Sequence, residues 1–164
     1  TSICNCKTGG KIQESTPSRR KGKNGSLVLE RYMDDRSDLK GTRLKALCRL
    51  GGLPLMDRVG HEAKPRWPKE MRLCQACDMG VVEDVHHFMM VCPMHAHRRA
   101  KLLKVASAAL ARAGGITGGE LQSLPSVEQM RILLGGRVGD PVKEDRVDGM
   151  AKRYLRKAWN HYSY

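Results

Sequence analysis

The chain has 164 residues, of which 40% are apolar and only 4% aromatic, and its 30 Lys and Arg outnumber 17 Asp and Glu for a formal net charge of +13. That length holds one domain or two small ones and excludes a large multi-step enzyme, and with a single Phe the core is expected to consist of Leu, Val, Met and Ala. A positive excess of this size in a small chain is the footprint of a polyanion partner, nucleic acid first, while no apolar run approaches the roughly 18 to 20 residues of a transmembrane span.

Residues 1–25, "TSICNCKTGGKIQESTPSRRKGKNG", have almost nothing to bury. They are expected to form a basic extended tail, ordered only against a partner and presenting Arg19, Arg20, Lys21 and Lys23. "YMDD", Tyr32 to Asp35, matches a polymerase signature. It lacks the upstream carboxylate and palm sheet that two-metal phosphoryl transfer requires, so no catalytic role is expected of it. Residues 26–71 should be short helices and a Pro-rich connector. Within them, Leu44, Leu47 and Cys48 fall on one stripe of a helix over Leu39 to Leu50, which Gly51-Gly52 can end, and Cys48 is expected to be a small core residue. "PLMDRVGHEAKPRWPKE" carries three prolines and a glycine and reads as irregular.

Residues 72–113 should form a zinc-binding module and the helix that follows it. "RLCQACDMGVVEDVHHFMMVCP" concentrates three of the chain's six cysteines and two of its six histidines. A structural zinc wants four soft or borderline donors at the corners of a tetrahedron, and a Cys-x2-Cys turn supplies two of them from one tight loop. Cys74 and Cys77 have that spacing. Cys92, with a histidine before it, completes the set as Cys-x2-Cys-x9-His-x4-Cys with His87, or with x8 and x5 with His86; the chemistry permits either. Val85, Phe88 and Met89 suggest a short helix, and Pro93 biases Cys92 out of it. Three thiolates and one divalent ion leave a charge of −1, which Arg72, Arg98 and Arg99 are expected to favour. Four protein ligands leave no open position, so the expected role is structural. His95 and His97 lie too far along to join the same four. Cysteine clustered with histidine also favours a reducing intracellular compartment over a disulfide framework.

Pro93 to Ala113 should be helical, with Leu102, Leu103, Ala106, Ala109, Leu110 and Ala113 on one side and Arg98, Lys101, Lys104 and Arg112 on another. Residues 114–164 are expected to be a C-terminal helical segment. "GGITGGE" reads as a loop, and "PSVEQMRILLGG" as a helix with Ser126 as N-cap and Gln129 at capping-box spacing. A last helix over about Val147 to Tyr162 divides into a packed half, with Met150, Ala151, Tyr154, Leu155, Ala158, Trp159 and Tyr162, and a basic strip of Lys152, Arg153, Arg156 and Lys157.

"TRLKALCRLGGLPLMDRVGHE" followed by "RLCQACDMGVVEDVHHFMMVCP" resembles the cysteine/histidine segment near the C-terminus of reverse transcriptases from non-LTR retrotransposons, over roughly residues 39 to 103. That family shows a leucine-rich segment, Cys-x2-Cys, an acidic pair, His-Phe and Cys-Pro, then a basic helix. The resemblance implies Cys74, Cys77, His87 and Cys92 as ligands, preferring His87 to His86, with Glu83-Asp84 as the acidic pair. Together these readings give a mostly α-helical domain with a zinc-stabilised knuckle, expected to be a non-catalytic RNA-binding subunit among neighbours in a larger ribonucleoprotein such as a ribosome. Two alternatives stay open: an accessory subunit of a protein or membrane complex without RNA, and a fragment of a retrotransposon enzyme.

Overall fold

Helix α1 spans Leu39–Arg49. Asp38 caps its start by accepting from the Gly41 amide at 2.9 Å. It ends in a left-handed glycine: Gly51 has φ of +63° and donates to the Cys48 carbonyl, while Gly52 donates to that of Leu47, the paired bonds of a Schellman stop. Leu44 and Cys48 are buried on the expected stripe.

The computed structural model describes Met33 and residues 37–111, 118–135 and 140–162. The tail with Arg19, Arg20, Lys21 and Lys23, the other three residues of the YMDD tetrad, and Arg112 and Ala113 lie outside the described residues. The described part is mostly helical, and its one β-bridge, isolated, joins Leu73 and Val82. After α1 come α2 (Met56–Glu62), α3 (Ala96–Ala111), α4 (Gly118–Ser123), α5 (Ser126–Leu133) and α6 (Pro141–Trp159). No helix among the described residues is long and apolar enough to cross a membrane.

α6, about 28 Å long at 1.5 Å per residue, packs against both α1 and α3. Its Val147, Ala151, Tyr154, Leu155 and Ala158 are buried, with Met150 and Trp159 packed at the margin. They meet Leu102, Ala106 and Leu110 of α3, Leu121, Leu133, and Leu53 and Leu55 in one core. Where α1 crosses α6 the fit is close: a Cβ on Gly41 would lie 2.7 Å from the Lys152 Cβ, so only glycine lets the two backbones approach.

Several expectations are corrected. The proline-containing connector holds a helix, α2, whose first amides are capped from a distance by Glu83 rather than by a local side chain. Part of the expected glycine loop is helical, as α4. α6 begins at Pro141, six residues before the hydrophobic periodicity does, because Asp140 accepts from the Val142 and Lys143 amides and Pro141 sits in the first turn. Ser126 is not an N-cap; Pro125 holds that position. Gln129 donates instead to the carbonyls of Gln122 and Leu124 at 3.2 and 2.9 Å, tying α5 to the end of α4. Lys152 leaves the basic strip altogether. It is fully buried and pairs with Asp148 at 2.7 Å, one helical turn earlier, beneath α1.

Candidate metal centre

Cys74 and Cys77 ride on a tight loop. Cys74 donates its amide to the Val81 carbonyl at 2.9 Å and Glu83 donates its own to Arg72 at 3.0 Å, two antiparallel bonds flanking the Leu73 to Val82 bridge. Gly80, with φ of +62° and open space around it, makes the return turn.

The second pair comes from a wide helical turn. His87–Val91 is π-wound, closed by the Cys92 amide donating to the His87 carbonyl at 2.7 Å. In an α-helix residues five apart point about 140° away from each other. The i to i+5 winding reduces that angle and brings His87 and Cys92 to one side. Cys92, extended at ψ 123° before Pro93, then leaves the helix as expected.

The adjacent acids Glu83 and Asp84 hold the two halves in place. Asp84 accepts from the His87 amide at 2.7 Å, and buried Glu83 accepts from the Met56 amide at 3.0 Å. Each therefore satisfies the orphan donors of a different helical start.

The result is a cluster of four. The donor atoms of Cys74, Cys77, His87 and Cys92 all lie within 4.8 Å of one another, and Cys77 Sγ is 3.4 Å from His87 Nε2. Corners of a tetrahedron with metal–ligand bonds of about 2.0 to 2.3 Å are about 3.5 to 3.8 Å apart, so the four residues could hold a metal ion. Of the two candidate histidines, His87 is in the cluster. His86 turns away to Ser126 Oγ, 2.8 Å from its Nε2.

Burial shapes the titration here. It raises the Cys74 thiol, with a further push from the Glu83 carboxylate, against the Ala76 amide, which favours the thiolate. Burial likewise raises Cys92, against the Met94 amide. In both, the N–H two residues on points at the sulfur, the second-sphere arrangement that supports a metal-bound thiolate. Burial also lowers His87, partly offset by Asp84 and Glu83, favouring the neutral imidazole a metal needs. Of the arginines expected to balance a −1 site, only Arg99 reaches a ligand, donating to the Cys92 carbonyl at 3.0 Å. Arg72 is committed to Asp57 and the Trp67 carbonyl, and Arg98 to His161.

Behind the cluster lies a feature that composition conceals. The chain's one Phe, Phe88, makes edge contacts with His95, Trp159 and Tyr162 at centroid distances of 5.1, 6.1 and 5.3 Å, and Tyr154 donates its hydroxyl to the Met89 carbonyl at 3.0 Å. These rings gather where the knuckle meets α6, so the core is not aliphatic throughout.

His95 sits in this cage with neither ring nitrogen hydrogen-bonded among the described residues. Burial, then the charges of Arg98, His161 and Arg99, hold it down to about 4. The unfolded chain therefore takes up this proton first, and stability should fall as pH drops from about 6.5 towards 4, by on the order of 2 to 3 kcal/mol. His95→Phe is expected to remove that part of the acid sensitivity. Urea unfolding of both chains at pH 7 and pH 4.5 checks it: an unchanged difference would rule out a neutral, buried imidazole.

The basic residues expected to contact nucleic acid divide. Lys101 and Lys104 on α3, and Arg153 and Lys157 on α6, are exposed; Arg98 and Arg156 are half-buried, Arg156 lying 3.4 Å from Asp38. Comparison with protein-family models, with curated proteins and with solved structures finds no match to this chain.

Proposed function

We propose that the chain is a non-catalytic, zinc-stabilised RNA-binding component of a larger ribonucleoprotein such as a ribosome, descended from a retroelement reverse-transcriptase-like protein. The observation that carries this reading is the closed set of three cysteines and one histidine in a chain of net charge +13. Three thiolates and an imidazole are the donor set of a structural zinc, and with all four corners filled from the chain there is no position for water or substrate. Zinc here would fix the knuckle against α6 and so hold α3 with its exposed Lys101 and Lys104. The free thiols of Cys48, Cys74, Cys77 and Cys92 suit a reducing compartment. The retroelement origin rests on the resemblance of residues 39 to 103 alone.

RNA affinity tests the reading. If lysines and arginines replace counterions on phosphates, log Kd should change with log salt at about 0.7 per phosphate contacted on a single strand. Lys101→Glu with Lys104→Glu should reduce that slope by about 1.4 and leave zinc content unchanged. Tight, salt-independent binding to a protein partner, with no RNA binding at low salt, would favour the accessory-subunit alternative instead.

A further inference from the structure

Two glycines on the α1–α6 side of the molecule differ in what they are for. Gly41 is required by packing. Gly149, in the interior of α6, is not: a Cβ there would meet nothing within 4 Å, and its φ is not in the left-handed region. A helix-interior glycine is destabilising relative to alanine, so neither packing nor backbone conformation accounts for it.

It does leave a cleft uncovered. Gly149 lines an open hollow of about 450 Å³ together with Ser37 and Asp38 before α1, and Asp145, Arg146, Arg153 and Arg156 of α6. At 100° per residue, Arg146, Arg153 and Arg156 lie within about 60°, 40° and 20° of Gly149 around the helix, so three guanidiniums fan about a bare strip of backbone. The acids do not cancel them. Asp38 is engaged as the α1 cap and with Arg156, and Asp145 has a partner of its own, whereas the guanidiniums of Arg146 and Arg153 make no ion pair or hydrogen bond among the described residues. Lys152 also contributes to the wall, but its ammonium is buried and held by Asp148. Guanidinium forks match phosphate oxygens in pairs, glycine admits a ligand close to backbone, and the volume suits a phosphate with its flanking sugars.

We propose that this cleft seats a phosphodiester of the RNA backbone, with Arg146, Arg153 and Arg156 on the phosphate oxygens and Gly149 as its floor. The inference rests on the RNA reading above and adds to it a place, together with two residues, Arg146 and Gly149, that sequence reasoning passed over.

The test is binding of a labelled single-stranded oligouridine, and separately of an oligoglutamate peptide, to the zinc-loaded full chain and its variants. Gly149→Ala should raise the melting temperature while binding RNA nearly as wild type. Gly149→Leu should keep a melting temperature at or above wild type but bind about tenfold more weakly, and Arg146→Gln should weaken binding comparably and reduce the salt slope by about 0.7. If wild type binds RNA and neither Gly149→Leu nor Arg146→Gln changes it, the cleft proposal is overturned and the RNA reading stands. If wild type binds no RNA at low salt, the RNA reading fails and the cleft assignment with it. Binding of oligoglutamate alone, lost in Gly149→Leu, would reassign the cleft to an acidic protein and equally overturn the proposal.

Discussion

Replacing His87 with alanine is expected to abolish tight metal binding, and replacing His86 to leave the metal in place. Only His87 brings a ring nitrogen to the thiols, at 3.4 Å from Cys77 Sγ. His86 is bound to Ser126, so its loss should cost only the roughly 1 kcal/mol of an ordinary hydrogen bond. For His87 the cost is far greater. Gln75, Asp78, Met79, Gly80 and Val81 are all exposed, so the knuckle has little apolar surface of its own to bury. Its folding free energy must come from the ion, on the order of several kcal/mol. Stripping the metal with a chelator should therefore release backbone protection from residues 73 to 82 first, with the turn around buried Phe88 and Met89, α1 and α6 persisting longer. Metal analysis of the two variants, and hydrogen exchange before and after chelation, provide the check. Metal retained in His87→Ala and lost in His86→Ala would reverse the assignment.

That assignment shows how far the sequence could be read. Cys-x2-Cys and the later Cys-Pro were legible because ligand spacing follows from tetrahedral chemistry. Spacing alone did not choose the histidine, since that depends on a π turn that no periodicity announces; the resemblance pointed to His87, which is the one in the cluster. α1 and α3 were legible from apolar stripes, and the glycine stop after α1 served as expected. α2 was hidden by the prolines around it, its cap being Glu83, 27 residues away from Met56. The start of α6 was available in Asp140-Pro141, a cap followed by a first-turn proline, and was passed over because the apolar pattern begins later. Ser126 and Gln129 had the spacing of a capping box, but tertiary partners, His86 and the end of α4, took both side chains. The helical wheel failed for Lys152 because a wheel shows which residues share a face and not which neighbouring helix covers it.

The burial of Lys152 leads to the other large expected effect. Lys45 of α1 and Lys152 of α6 are 1% and 0% exposed, and both ammoniums meet the carboxylate of Asp148, itself 12% exposed. Burial lowers the affinity of Lys45 for its proton, and Asp148 opposes that. Asp148→Asn removes the negative charge from between two buried cations, a change that should destabilise by about 3 to 5 kcal/mol. The loss should depend on pH. With its folded value below the ordinary 10.5, Lys45 binds its proton more tightly in the unfolded chain, so stability rises as pH climbs from the folded value towards 10.5. Without Asp148 the folded value falls further, and Asp148→Asn should therefore recover part of its deficit between pH 7 and pH 10. Replacing Lys45 and Lys152 with Met and Asp148 with Leu together should restore most of the stability, since an apolar set of similar volume needs no desolvation of charge. The same triple variant should keep the wild-type salt dependence of RNA binding, because an ammonium buried under α1 cannot release a counterion from a phosphate. Denaturant unfolding of the single and triple variants across that pH range decides the point: an Asp148→Asn chain as stable as wild type at pH 7 would mean that the two ammoniums are not buried.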